Sequence, residues 1–378
     1  MKQADSRIDF KIAVILAAVL VAAVFGEGVA RYKLKAEASR GALPSQCESD
    51  PVYNHVWRPS MRQVDAYRSI PYVLVTNKQR WVEEYDVAEK KPVGTFRIFY
   101  VGDSNVQGVV DTPYKMVKIV EKGLNSRSKK IKFEVINTGT SSFSILQYYL
   151  LIKYTLLKYA PDLVVLNIDM TDASDDEFYR RLARRDEKGE ILGIAPSGGR
   201  KYVLTPIGSF HEGDFFPAWM IRRSSLIELL NGRLQNLVIK IGTFVWMRRP
   251  TNWLAREWSE KTVKDVDASM DVLMAAIELL KSNGVKVCLT GVPHYRQYTG
   301  EWSVKPHEVL KSVAEKERIP YLNSYQTLKY KITGTPQERF YWSNDPCHFN
   351  REGNRIWAQA QLDFLSDPEN RLLPSDFF

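Results

Sequence analysis

Phe96-Arg97-Ile98-Phe99-Tyr100-Val101-Gly102-Asp103-Ser104 is the stretch from which the fold is read. The aromatic and β-branched run Phe96–Val101 predicts a strand. Gly102-Asp103-Ser104 then opens a turn before a helical segment. Working outward, Thr112-Pro113 predicts a helix start, with threonine as cap and proline in the first turn, and the helix runs to about Asn125. Phe133–Thr138 reads as a strand, and Ser144–Ala160 as a helix stopped by Pro161. Leu163–Ile168 is apolar throughout, as in a strand buried on both faces.

The rhythm breaks over residues 173–258, where acidic, basic and aromatic clusters replace the repeat. It resumes with a helix from Thr262 to Ser282, closed by Asn283-Gly284. Strand Val285–Val292, helix Pro306–Lys316, strand Tyr321–Ser324 and helix Arg351–Leu365 follow. Strands alternating with helices predict a parallel sheet covered on both faces. Active groups in such sheets lie beyond the carboxyl ends of the strands. Ser104, Thr171 and Pro293-His294 all follow strands, so one edge gathers them.

The 378 residues suffice for one large core plus an elaboration. A composition 44% hydrophobic and 26% charged is that of a globular protein. The net charge of +9 favours anionic surfaces. The basic residues are scattered, with no nucleic-acid motif, so no nucleic-acid partner is expected. Ile12–Gly26 is an uninterrupted apolar and small-residue run between Lys11 and Glu27. It is read as an uncleaved membrane anchor, against a cleaved signal peptide or a buried helix. The resulting division is a tail and anchor over 1–30, a linker and extension over 31–95, and a main domain over 96–368 with an insertion at 173–258. One large domain after a short tail suggests export to the periplasm or the cell exterior. Cys47, Cys288 and Cys347 are an odd set, which is no disulfide framework. Cys347 either packs beside His348 or pairs with Cys47.

Near the C-terminus, Asp345 and His348 are spaced three apart. Serine is a weak nucleophile until a base takes its proton. Histidine titrates near neutrality, and a carboxylate fixes its tautomer and stabilises the imidazolium. Ser104, His348 and Asp345 thus supply a nucleophile, a base and an orienter.

Gly102-Asp103-Ser104 with Gly108, Asn137-Thr138-Gly139, Pro161-Asp162 through Thr171-Asp172, and Asp345-Pro346-Cys347-His348 occur in that order. Together they resemble the SGNH (GDSL-type) hydrolases over roughly residues 96–365. The resemblance implies a flavodoxin-like three-layer α/β/α domain and hydrolysis or transfer of acyl esters, with no cofactor and no metal. It implies Ser104 as nucleophile, His348 as base and Asp345 as orienter. It places the oxyanion hole at the Ser104 N–H, at Ser142 or Gly139, and at Thr171, where the family pattern Gly-x-Asn-Asp has asparagine. Asn105 is an alternative donor and, with His294, a candidate substrate contact. The expected substrate is an O-acyl group on an envelope or exported polysaccharide. The alternatives are a lipid ester, acyl transfer, or a weakly active glycan-binding or assembly component. The acidic run Asp169, Asp172, Asp175, Asp176 and Glu177 is read as a solvated surface. The Trp-Arg stretches at 219–223 and 246–250 read as a packed cap, or as a membrane or sugar interface.

Overall fold

Five parallel strands form the central sheet: β3 (Thr95–Val101), β4 (Lys132–Asn137), β5 (Leu163–Asp169), β6 (Lys286–Val292) and β7 (Tyr321–Asn323), following a hairpin β1–β2 (Arg62–Tyr67 and Ile70–Val75). Their spatial order is β4-β3-β5-β6-β7. Counted within the sheet this is 2-1-3-4-5, the order of flavodoxin-like doubly wound sheets. The structure, a computed structural model, describes residues 2–39, 46–67, 70–196, 202–205, 208–211, 215–234, 237, 252–343 and 345–377. The Trp246–Pro250 stretch lies outside them.

The helices used below are α1 (Lys2–Ser39), α2 (Ser104–Gln107), α3 (Met116–Arg127), α4 (Ile145–Tyr154), α5 (Asp172–Leu182), α6 (Glu260–Ser282), α7 (Lys305–Glu317), α8 (Ser324–Ile332) and α9 (Arg351–Leu365). Successive strand residues point to opposite faces. Ile98, Tyr100, Val135, Leu163, Val165 and Cys288 share a core with Val120 and Leu124 of α3 and Ile356 and Trp357 of α9. The intervening Phe99, Val164, Leu166 and Leu289 are buried too. Helices α6 and α7 pack on β6, and α4 and α5 pack on α6. Both faces are therefore covered, which is why β5 carries no exposed residue.

Two compact units emerge: Met1–Gln46 with Gly198–Met247, and Cys47–Ser197 with Arg248–Phe378. The larger unit thus begins well before Phe96. Its early part is built in through Trp57, Tyr72, Leu74 and Val82, which form a small core with Val109. In the smaller unit, the Glu27 carboxylate accepts the N–H groups of Ser225 and Leu226, both at 3.0 Å, and the Ser224 hydroxyl at 2.8 Å. A side chain of α1 thereby satisfies N–H groups that open a second helix. Among the described residues no helix is long and apolar enough to cross a membrane.

Candidate active site

Ser104 opens α2 at the carboxyl end of β3. The turn is tight: a Cβ at Gly102 would meet Val106 Cγ2 at 2.3 Å, so only glycine fits. Asp103 caps the short helix, its Oδ1 accepting the Asn105 N–H at 2.8 Å. The far end of α2 is held by a fully buried lysine, Lys115, whose Nζ donates to the carbonyls of Gln107, at 2.8 Å, and Gly108.

Asp345 and His348 lie on a hairpin, β8 (Tyr341–Trp342) paired antiparallel with β9 (Asp345–Phe349). His348 is therefore a strand residue. Asn350 caps α9, accepting the Gly353 N–H at 3.0 Å. The Cys347 N–H occupies Asp345 Oδ1 at 2.8 Å. Asp345 Oδ2 meets His348 Nδ1 at 2.6 Å, and His348 Nε2 meets Ser104 Oγ at 2.7 Å. With Nδ1–H donated to the carboxylate, Nε2 is the acceptor that faces the hydroxyl. Burial alone would lower the His348 pKa. The hydrogen bond and charge of Asp345, helped by Asp103 and Asp169, outweigh it and raise the group above its ordinary 6.5.

Three of the remaining candidates, Asn105, Thr171 and His294, converge on Asp169 at the end of β5. Its Oδ1 accepts Asn105 Nδ2 at 2.9 Å and meets His294 Nε2 at 2.8 Å. Its Oδ2 accepts the Thr171 N–H at 2.9 Å and the Thr171 hydroxyl at 2.8 Å. One buried carboxylate thus ties together the turns after β3, β5 and β6. His294 and Asn105, expected to meet substrate, are buried and direct their side-chain donors to Asp169. Thr171, expected at the oxyanion hole, has both donors on Asp169. Gly139 has its N–H on Asn137 Oδ1 at 2.9 Å, and its carbonyl accepts Trp57 Nε1 at 3.0 Å. Ser142 adopts φ 61°, a left-handed conformation that glycine takes without strain.

The acidic run is not a solvated surface. Asp169, Asp172 and Asp176 are buried. Carboxylate oxygens of Asp103, Asp169 and Asp172 lie within 4.8 Å of one another, an arrangement that could hold a cation. Three carboxylates this close cannot all stay ionised in a buried setting. Burial alone would raise Asp169, but His294 and Thr171 outweigh it and hold the group below the usual range. Burial, then its acidic neighbours, pushes Asp172 far up and Asp103 up to about 7. Protonation of Asp172, and of Asp103 below about pH 7, relieves the repulsion within the cluster.

Lys115 escaped the reading of the sequence, and Asp169 was read only as part of a solvated acidic surface. Asp169 had one signal: in Asp169-Met170-Thr171-Asp172 it stands where the family pattern has glycine. A lysine is mostly an exposed residue, so nothing marked Lys115 for burial.

No protein-family model matches the chain, and no curated protein matches its sequence. Among solved structures it is similar to a catalytic mutant of an acetylxylan esterase from Geobacillus stearothermophilus, at 12% identity over 74% of this chain and 97% of that one, TM-score 0.40. It is also similar to the lipase/acylhydrolase from Enterococcus faecalis, at 12% identity over 71% and 95%, TM-score 0.39. A third is an alpha/beta hydrolase enzyme from the metagenome of Lake Arreo, Spain, at 12% identity over 71% and 94%, TM-score 0.42.

Proposed function

We propose that this protein is a serine ester hydrolase of the SGNH type. One observation carries the reading: the hydrogen-bonded chain Ser104–His348–Asp345 at the carboxyl edge of a 2-1-3-4-5 parallel sheet. His348 Nε2 takes the Ser104 proton as Oγ attacks the acyl carbonyl. The N–H groups of Ser104 and Ser142 are the donors assigned to the resulting oxyanion. His348 then protonates the leaving alcohol, and an acyl-enzyme remains. The same nitrogen deprotonates water for the second half, which releases the acid and restores Ser104. With Thr171 engaged elsewhere, the hole has one donor fewer than the family pattern. Loss of such a donor costs about 10²–10³ in rate.

The proposed setting is outside the cytoplasm, tethered through the N-terminal helix, with O-acylated polysaccharide as substrate and a lipid ester as the second choice. Val19, Leu20, Val21, Val24 and Phe25 of α1 all expose apolar side chains, which supports contact with lipid. Fractionation with and without residues 1–30 tests the tether. Turnover of short p-nitrophenyl esters beside Ser104→Ala tests the chemistry. Turnover reduced by about 10⁶ in the variant is expected, and equal rates would leave a non-catalytic glycan-binding or assembly role.

A further inference from the structure

In the smaller unit, the apolar run of α1 stays uncovered up to its end. Every residue from 17 to 25 is exposed, whereas Ala30, one turn on, is 1% exposed. The insertion meets α1 between these two points. Glu27 accepts from Ser224, Ser225 and Leu226, and a Cβ at Gly26 would lie 3.2 Å from Leu226 Cδ2. A second helix opens there, over residues 225–234. A helix packed along α1 would bury one of its faces, and residues 17–25 have no buried face. The second helix therefore leaves α1 at Leu226 and does not run back beside the apolar run.

Its own apolar face continues from that contact. Leu226, Leu230, Leu234 and Leu237 fall within an arc of about 80° at helical spacing. Leu226 is half-buried against α1. Beyond it the stripe is open, with Leu230 43%, Leu234 36% and Leu237 52% exposed. Phe215, also exposed, is tied to the same helix by its N–H, which Asn231 Oδ1 accepts at 2.8 Å. Apolar side chains thus follow one another from Phe25 of α1, across Leu226, to Leu237. A run of exposed leucines continuous with a second apolar surface marks a place of contact.

Charge selects what covers it. Residues 218–250 hold six basic side chains and one acidic one, Glu228, so this short stretch supplies more than half of the +9 net charge. Arg223 and Arg233 are exposed. Arg233 borders the leucine stripe, about 20° outside its arc, while Glu228 lies about 120° or more from each leucine. Acyl chains take leucines, and lipid phosphates take the guanidinium groups beside them.

We propose that the helix over 225–234 lies in the surface of a membrane rich in anionic phospholipid, with Leu230, Leu234 and Leu237 in the acyl boundary and Arg223 and Arg233 at the phosphates. The inference rests on the reading of α1 as a membrane tether and adds a second lipid contact to it, supplied by the insertion. Two linked contacts hold a protein to a bilayer far better than either alone.

The test places a nitrobenzoxadiazole probe on one introduced cysteine at a time: Leu20→Cys, Glu228→Cys, Leu230→Cys or Leu234→Cys. Each is made in the full chain carrying Cys47→Ser, because Cys288 and Cys347 are buried. The protein is reconstituted into vesicles of phosphatidylglycerol and phosphatidylethanolamine, then quenched by doxyl-labelled lipid or by aqueous iodide. The probes at Leu230 and Leu234 should lose at least about twofold more signal to the doxyl lipid than the probe at Glu228. That difference should shrink in vesicles of phosphatidylcholine alone. Iodide quenching at Leu230 and Leu234 equal to that at Glu228, with no doxyl quenching, overturns the proposal. If the Leu20 probe is then quenched by doxyl lipid, the tether stands without it. Doxyl quenching at Leu230 and Leu234 but not at Leu20 sustains the proposal and removes the tether. Probes at Leu230 and Leu234 that neither quencher reaches are covered by protein, such as a second copy of this chain, and overturn it. Equal doxyl quenching in phosphatidylcholine overturns the anionic partner.

Discussion

In the proposed hydrolase three side chains, Ser104, His348 and Asp345, carry the chemistry, and their pH behaviour follows from what surrounds them. His348 works as a base only when neutral. Its pKa is raised above 6.5, chiefly by the Asp345 carboxylate acting against burial. Below that raised pKa the ring is protonated and cannot accept from Ser104. The rate should therefore rise with pH along a limb centred above pH 6.5. Asp345→Asn removes the raising influence and the tautomer lock together. A fall of about 10³–10⁴ in kcat is expected, with the remaining limb displaced to lower pH. A limb that stays in place in Asp345→Asn, measured as kcat/KM between pH 5 and 9, would contradict this assignment.

At the scale of elements, the site depends on how closely α2 meets the turn after β4. A Cβ at Gly139 would lie 2.1 Å from the Gln107 nitrogen and 2.7 Å from the Val106 carbonyl carbon. Gly139→Ala therefore cannot be absorbed by a side-chain shift, and α2 must move with Ser104 on it. A stability loss of about 1–3 kcal/mol is expected. A disproportionate loss of turnover should accompany it, seen by pairing denaturant unfolding with ester assays. The sequence exposed most of these elements. The observed β3, β5, β6, α6, α7 and α9 match the predicted spans to within a residue or two, because periodicity and capping are local signals. The helix expected over Ser144–Ala160 instead ends at Tyr154, where Thr155 leaves helical geometry and its hydroxyl lies 2.6 Å from that of Tyr53. No pattern of neighbours encodes a contact reaching back 102 residues. The β1–β2 hairpin and the β8–β9 hairpin were missed for a similar reason. Both make contacts far along the chain: the Val73 N–H donates to Asp111 Oδ1 at 3.0 Å, and the Tyr341 hydroxyl donates to the Pro293 carbonyl at 2.8 Å.

For the molecule as a whole, the sequence showed the sheet and the triad, while the partners of the other polar residues came only with the fold. His294 reads as a substrate contact because it follows a strand, and the family resemblance offers Thr171 or Asn105 as an oxyanion donor and Asn105 as a second substrate contact. That one carboxylate, Asp169, collects all three is a tertiary fact. The acid cluster around it also governs stability. Asp103 and Asp175 are pushed up to about 7 by burial, and Asp172 further still. Between about pH 4 and 7 the folded state therefore holds more protons on these groups than the unfolded chain does. Their contribution to stability is present below the ordinary carboxyl range and is lost as pH rises through the raised values. Asp169, held low, acts in the opposite sense at more acid pH. The thermal midpoint should be higher near pH 5 than near pH 8, and Asp172→Asn should shrink that difference by removing one titrating carboxyl. A midpoint that rises from pH 5 to pH 8 in calorimetry would show that the cluster is ionised as a whole.

The central claim is that the Ser104 hydroxyl is activated by His348, and intact-protein mass spectrometry after exposure to a fluorophosphonate tests it most directly. One phosphonyl group is expected, mapped by peptide analysis to Ser104, formed rapidly in wild type, far more slowly in His348→Ala and not at all in Ser104→Ala. An unlabelled wild type, or a label that persists in Ser104→Ala at the same rate, would contradict the account.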